Sequence, residues 1–430
     1  MKIFGCGDVF VAKRLPEGGY EGFDELSALM KGHDACFGNL ETTVHDNEGY
    51  PSLFPGGGYA MAEPSCLKDL KKFGFNVFNL ANNHALDFCQ KGLEATIGYL
   101  KKEGLPFVGA GMNLVEASRP RYVECKDGRV AFIGVTSSFH DSDAAGPAGG
   151  VVPGRPGINP LRRTEVYQVT ENLYRSLQEV AEATGMNDGH KWSIANGYRE
   201  DNGELFLREM KFIKGEESCR ITHPLRKDMD RIVMSIKEAR IQADCVVVSF
   251  HSHQMNGRSD TPAQFIVEFC HECIDAGAHA VFGHGAHELQ GVEVYKGCPI
   301  FYGLGDFLFH NEMVSSMPME FYEKNAQDSS HYDWVGLTMN DRSKGQTRGL
   351  SSDPKAWQAV GASISFIGGK IHSVTVYPVS LGFSKGRTLR GWPEIDKSGQ
   401  ILQYFIGLSS SQFGTEFSVS GDSASIILEQ

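Results

Sequence analysis

The chain has 430 residues, 41% of them hydrophobic, and a formal net charge of -12. That length allows one large α/β domain or two to three average ones, with ample core. The acidic balance excludes a dedicated nucleic-acid binder, which would present a basic face.

No stretch approaches the roughly 18 consecutive apolar residues of a membrane span, so none is expected. The run Met1-Lys2-Ile3-Phe4-Gly5-Cys6-Gly7-Asp8 reads as a first strand rather than a signal peptide, because its apolar part is too short. The 10 cysteines are scattered through strand and helix patterns, as reduced thiols of a cytoplasmic protein would be. Cys270 and Cys273 read as buried positions on a helix face, since no second pair completes a zinc site.

Strands and helices then alternate. Ile3 to Cys6 is a strand ending at Gly7-Asp8, and Phe23 to Lys31 is a helix leading to a strand around Ala35-Cys36-Phe37. That strand stops at Gly38-Asn39-Leu40-Glu41. Pro64 to Phe73 has helical spacing with Pro in its first turn, and Phe75 to Leu80 is a strand closed by Ala81-Asn82-Asn83-His84. A helix over Gln90 to Glu103 precedes a short strand at Pro106 to Gly109, and Arg129 to Thr136 forms another. This order implies crossover connections and a largely parallel sheet with function at its carboxyl edge.

Residues 140–225 break the rhythm and read as an insertion over the site. The segment opens with a Gly/Pro-rich loop, continues as a helix over Thr164 to Ala183, and contains a strand within Glu204 to Lys214. Arg155, Arg162 and Arg163 beside its glycines suit a clamp on a substrate carboxylate or phosphate, because guanidinium presents a planar fork of donors. Alternation resumes with a helix over Met229 to Ile241 and the buried strand Ala243 to Phe250, which ends in His251-Ser252-His253. A helix over Pro262 to Ala276 leads to Ala280-Val281-Phe282-Gly283-His284-Gly285-Ala286-His287, and Pro299 to Phe307 follows as a strand. Residues 312–360, rich in Ser, Asp and Met, read as a mobile lid. Residues 361–430 complete the domain with a hairpin, Ala362 to Ile367 and Lys370 to Val379 around Gly368-Gly369, and a helix from Gln400 to Leu408 that ends the ordered part. Residues 1–430 are thus expected to form a single domain.

The strand ends collect Asp8, Asn39, Glu41, Asn83, His84, His251, His253, His284 and His287. Carboxylate, amide oxygen and imidazole together suit one or two divalent cations of the Mn, Fe or Zn type and are too rich in nitrogen for calcium. Such a site would perform hydrolysis.

The motifs Gly7-Asp8, Gly38-Asn39-Leu40-Glu41-Thr42, Leu80 to Asp87, Val248-Ser249-Phe250-His251, Gly283-His284-Gly285-Ala286-His287 and Tyr302-Gly303-Leu304-Gly305-Asp306-Phe307 occur in order. In this the chain resembles the CapA-like, poly-γ-glutamate capsule synthesis (PGA_cap) family of the calcineurin-like metallophosphoesterase superfamily. The resemblance implies a four-layer α/β sandwich, two mixed sheets flanked by helices. It implies Asp8 and His287 as ligands of a first metal and Glu41 as the bridging acid. Asn83, His251 and His284 would then be ligands of a second, and His84 would donate a proton to the leaving group. Asn39 and His253 are expected to contact substrate, His253 with no family counterpart. The chain departs from the pattern where Val9-Phe10 replaces the usual histidine after Asp8, where Ser252-His253-Gln254 follows the fourth-motif His251, and where Asp306 replaces the commoner Asn.

Three readings follow. The first is a metal-dependent hydrolase of a phosphoester or a peptide or γ-glutamyl amide, acting on a small anionic or peptide substrate. The second is a metal-independent epimerase or lyase in which Asp8 and His287 or His84 move a proton. The third is a non-catalytic scaffold in polymer biosynthesis.

Overall fold

The computed structural model describes residues 1–428, so the last two residues of the expected 361–430 segment lie outside the described residues. Two mixed β-sheets dominate an α/β sandwich. In the larger sheet the strands Lys2–Phe10, Ala35–Asn39, Val77–Asn79 and Phe107–Val108 run parallel. The hairpin Gln358–Ile367 and Lys370–Ser380 extends this sheet antiparallel from the first strand. In the smaller sheet Gly128–Thr136, Cys245–His251, Ala280–His284 and Cys298–Leu304 are parallel, with antiparallel edge strands Arg121–Cys125 and Leu289–Tyr295.

The alternation of side chains along each strand explains both the pairing of sheets and the continuous apolar runs. Successive residues point to opposite faces. Ile3, Phe37, Val77, Phe132, Val247 and Phe282 fill one core between the two sheets. Their neighbours Phe4, Cys36 and Phe78 face helices through Leu26, Met30, Leu70 and Ile97. On the opposite side Ile133, Val246, Val248 and Val281 meet Ile232, Ile236, Phe265 and Phe269. A strand buried on both faces cannot alternate polar with apolar residues, so it reads as an unbroken hydrophobic run. Phe37 and Phe282 make the closest aromatic contact across the sheets, edge to face at 4.8 Å.

Many expected elements appear within a residue or two, such as the helices Phe23–Lys31 and Cys89–Lys102. Five expectations need correction. The largely parallel sheet read from the strand–helix alternation is divided between two mixed sheets, as the family resemblance implies, because the chain leaves the first after Phe107–Val108 and starts the second at Arg121. The expected helix from Thr164 begins as a strand, Arg163–Val169, and only Glu171–Thr184 is helical. Its β-branched Thr164, Val166 and Val169, with Tyr167, favour an extended chain, which pairs with Cys219–Pro224 and Met210–Lys214 in a small separate sheet. The strand expected within Glu204 to Lys214 folds back on itself at Arg208, whose φ is 56°.

Pro299 to Phe307 is two strands rather than one, broken at Gly305. There φ is 73°, and a Cβ would lie 2.3 Å from the Gln358 carbonyl oxygen. The second of these strands, Asp306–Phe309, crosses to the larger sheet and pairs with Lys2–Phe10. The ordered part extends past the last helix, Gln400–Phe413, into the hairpin Phe417–Ser420 and Ser423–Ile426, which adds to the edge of the larger sheet. Within residues 312–360 the chain forms the helices Met319–Asn325 and Val335–Arg342. Among the described residues no helix is long and apolar enough to cross a membrane.

Candidate metal centre

The carboxyl ends of the parallel strands of both sheets converge. Asp8 and Asn39 are register partners on neighbouring strands, as are His251 and His284. Glu41 lies two residues past the end of its strand, anchored by its N–H to the Val9 carbonyl at 3.2 Å. Asp306 is brought beside Asp8 by strand pairing across the break at Gly305, and the Asp8 N–H donates to the Gly305 carbonyl at 3.1 Å.

Ligand atoms of Asp8, Glu41, His287 and Asp306 lie within 4.8 Å of one another, and those of Glu41, His251 and His253 form a second such group. Glu41 is common to both. Its Oε1 is 3.7 Å from His251 Nε2 and 3.8 Å from His287 Nε2. His287 Nδ1 is 2.9 Å from Asp306 Oδ1, and His251 Nδ1 is 3.5 Å from Asp8 Oδ1. His253 reaches the cluster through its Nε2, 3.2 Å from that of His251. Two backbone features allow this packing. His287 has a left-handed φ of 54°. Gly285 has φ 92°, and a Cβ there would come within 2.9 Å of the His251 and His253 rings.

Electrostatics follow from burying acids and imidazoles together. Burial raises the Glu41 carboxyl, and the neighbouring charge of Asp8 adds to it. Burial likewise raises Asp306 despite His287. Burial also pushes against the charge of Asp8, yet His251, with His284 and His287 behind it, holds that group below the usual carboxylate range. Burial opposes the charge on His287, but Asp306 and Glu41 overcome it and push the ring up to about 10. Burial lowers His251, lowers His284 to about 4, and lowers His253 well below its ordinary value. His251, His253 and His284 are thereby held as neutral imidazoles, the state that binds a cation, whereas His287 and the raised acids Glu41 and Asp306 would release protons as a cation binds.

The hydrogen-bonding record tests whether a metal fits. Glu41 Oε1 and Oε2, Asn83 Oδ1, His284 Nδ1 and Asp306 Oδ2 are buried without a hydrogen-bond partner among the described residues. Buried polar atoms are rarely left this way, and a concentration of them on residues of one site points to an absent partner that accepts lone pairs. A divalent cation of the Mn, Fe or Zn type meets that description.

Surrounding groups orient the cluster. Asn39 has no exposed surface. Its amide donates to Asp8 Oδ1 at 2.6 Å and lies 3.0 Å from His251 Nδ1, while its oxygen accepts from Asn79 and Asn82. The expectation that Asn39 contacts substrate is therefore corrected, because every polar atom of that side chain already holds protein. Asp8 Oδ2 accepts from the Gly285 N–H at 2.7 Å. His84 Nδ1 is 2.6 Å from Asp87 Oδ2, which fixes the ring, and His84 lines a cavity with His287. Asn83 donates to the Gly56 carbonyl at 2.6 Å, leaving its oxygen free.

The expected arginine clamp is also corrected. Arg162 forks onto Asp228, a completely buried acid, at 2.7 and 2.9 Å. Arg155 donates twice to the Ala144 carbonyl, and Arg163 pairs with Glu165 over the Phe265 ring. Each guanidinium is taken by the nearest acid or carbonyl of its own neighbourhood. Asp306 and Asp87 were not singled out as site residues from sequence. The replacement of the common Asn at 306 and the three-residue spacing of His84 and Asp87 were the available signals.

The family model for bacterial capsule synthesis protein PGA_cap matches residues 2–311. The uncharacterized protein y4sH of Sinorhizobium fredii is 30% identical, covering 96% of this chain and 90% of its own length. Capsule biosynthesis protein CapA of Bacillus anthracis is 26% identical over 75% of this chain and 63% of its own. A probable polyglutamine synthesis accessory protein of Mycobacterium tuberculosis is 27% identical over 64% of this chain and 55% of its own.

Proposed function

The chain belongs to the bacterial capsule synthesis protein PGA_cap family, and from that premise we propose that it is a divalent-metal-dependent hydrolase. Its substrate is a phosphoester or an amide such as a γ-glutamyl linkage. The observation that carries this reading is the convergence of Asp8, Glu41, His287 and Asp306 around buried oxygens that have no hydrogen-bond partner among the described residues. Buried carboxylates without compensation are costly. Asp8, Glu41, His287 and Asp306 would hold one ion, and Glu41, His251 and His253 a second, with Asn83 Oδ1 and His284 Nδ1 as the further ligands that the family resemblance implies. Asp306 would supply the ligand lost where Phe10 stands in place of a histidine.

When bound by these residues, a divalent cation would supply Lewis-acid polarisation of a substrate oxygen and a water whose pKa is lowered to about 7. The remaining work falls to side chains of this chain. Asn39 and the Gly285 N–H hold Asp8 in place. Asp87 fixes the His84 ring, and His84 delivers a proton to the leaving group. The names of two relatives, a capsule biosynthesis protein and a probable polyglutamine synthesis accessory protein, support an amide-linked polymer as the substrate class. A cytoplasmic place of action, a single domain with an inserted segment, and the four-layer arrangement of the metallophosphoesterases belong to the same proposal.

The test is metal analysis of protein purified without added metal, alongside turnover of phosphodiester and γ-glutamyl amide substrates before and after chelation. Retained Mn, Fe or Zn, with turnover lost on chelation and restored by metal, is expected. Absence of bound metal together with chelator-resistant turnover would sink the reading. A second reading, proton transfer without metal, draws on the 2.9 Å His287–Asp306 pair and the raised pKa of its imidazole. It demands deuterium uptake at a peptide Cα in heavy water without cleavage, abolished by Asp8→Asn. A scaffold role predicts instead that His287→Ala leaves biological function intact.

A further inference from the structure

We propose that Arg342 forms an oxyanion-binding subsite next to the metal centre and takes a carboxylate or phosphate group of the substrate away from the bond that reacts. This deepens the hydrolase reading and rests on it for the identity of the adjoining centre. Arg342 ends the helix Val335–Arg342, which lies beyond residues 2–311 of the family match.

Its guanidinium lines a cavity of about 100 Å³ that is also lined by His84 and His287, so the arginine and the candidate centre open into the same space. A second cavity of about 230 Å³ shares Arg342, Asn311 and Leu350 with the first, which leaves room for a substrate to continue outward. The small volume beside the histidines suits one compact polar group, and the larger one a chain that follows it.

Three observations separate Arg342 from an ordinary surface arginine. First, no carboxylate pairs with it among the described residues, in a chain whose Asp and Glu outnumber its Lys and Arg by 53 to 41. Arg155, Arg162 and Arg163 all found protein acceptors, and Arg390 is paired with Glu312. Second, the side chain is nonetheless fixed. Its Nη2 donates to the Gly57 carbonyl at 3.0 Å, and the guanidinium lies over the Phe321 ring at 5.6 Å. One hydrogen bond and one aromatic face hold the fork while leaving other donors of its five free. Third, Asn311 lines the same cavity and its carboxamide makes no hydrogen bond to protein among the described residues. A held arginine and a free amide facing one small cavity are the parts of a carboxylate or phosphate clamp. The substrate anion would displace no internal ion pair on entering.

The experiment measures binding of two probes to the full chain kept metal-free with chelator, glutarate by saturation-transfer NMR and inorganic phosphate by the broadening of its phosphorus resonance. Without metal the signal reports the subsite alone. Wild type should bind at least one probe at millimolar concentration, and the probe preferred tells whether the group is planar or tetrahedral. Arg342→Gln should weaken that binding about tenfold or more, as loss of charge-assisted hydrogen bonds does. Arg342→Lys, which keeps charge but loses the fork, should fall between. Thermal melts of both variants must match wild type, and Asn311→Ala should weaken binding independently of any effect on the helix. Equal binding by wild type and Arg342→Gln, or no binding of either probe, overturns the proposal. If chelation leaves turnover untouched while Arg342→Gln still abolishes probe binding, the metal reading has failed and the subsite stands.

Discussion

Replacing Glu41 with Gln should stabilise the metal-free protein and remove its response to metal. Glu41 is completely buried, its carboxylate oxygens accept no hydrogen bond among the described residues, and ligand atoms of Asp8 and Asp306 lie within 4.8 Å. Two full negative charges at that distance repel by about 3–4 kcal/mol at an effective dielectric near 20. The folded protein relieves part of this by raising the Glu41 pKa, through burial first and Asp8 second. The neutral amide therefore recovers only a fraction, about 1–2 kcal/mol. For a chain of 430 residues, unfolding entropy near the midpoint amounts to about 0.9 kcal/mol per degree. The metal-free variant should melt about 1–2 °C above wild type on that scale. Metal at a hundred times its Kd stabilises the native state by about 2.7 kcal/mol, which for wild type is a rise of about 3 °C. In Glu41→Gln the ligand shared by both ion positions has lost its charge, and the rise should fall below about 1 °C. Differential scanning calorimetry with chelator, followed by titration of Mn or Zn, measures both quantities. A variant that melts lower than wild type without metal, or keeps the full rise with it, would refute this account of Glu41.

Two further predictions concern groups outside the centre. Arg162→Ala should cost about 1–2 kcal/mol in urea unfolding, because Asp228 loses a forked partner and keeps Arg231. The substrate KM should be unchanged, and a raised KM with wild-type stability would return Arg162 to the site. His279, lowered to about 4 by burial and then by Arg240, gives a pH dependence of known sign. Folding favours its neutral ring, so its contribution is complete above the unfolded value of 6.5 and is lost as pH falls from 6.5 towards 4. The loss reaches up to about 3 kcal/mol. His279→Gln should flatten the stability curve of the chelated protein over that window, and an unaltered slope would show that other groups govern it.

The elements were legible where the physics is local. The strand Cys245–His251 is apolar on both faces because both faces are covered, and the run of Val246, Val247 and Val248 announces it. The helix expected from Thr164 starts late because the β-branched Thr164, Val166 and Val169 precede the helical pattern of Glu171–Thr184. The pairing that makes Arg163–Val169 a strand comes from residues more than forty positions downstream.

The sequence by itself determined which residues stand at the carboxyl ends of strands. An apolar run that stops at Asn39, His251 or His284 marks a buried strand emerging at a polar edge, whereas the strand carrying Asp8 runs on through Val9 and Phe10. Only the tertiary structure decided which of these meet. Asp306 joins Asp8 because Gly305 turns the chain from one sheet to the other, and Asn39 serves Asp8 rather than substrate because its strand lies beside that of Asp8. The arginines divide on the same ground. Guanidinium binds whichever acceptor the fold sets nearest, so Arg162 is held by Asp228 while Arg342 is left facing the candidate centre. The order of residues carries no record of those distances, since they arise from the packing of two sheets and the segments laid across them.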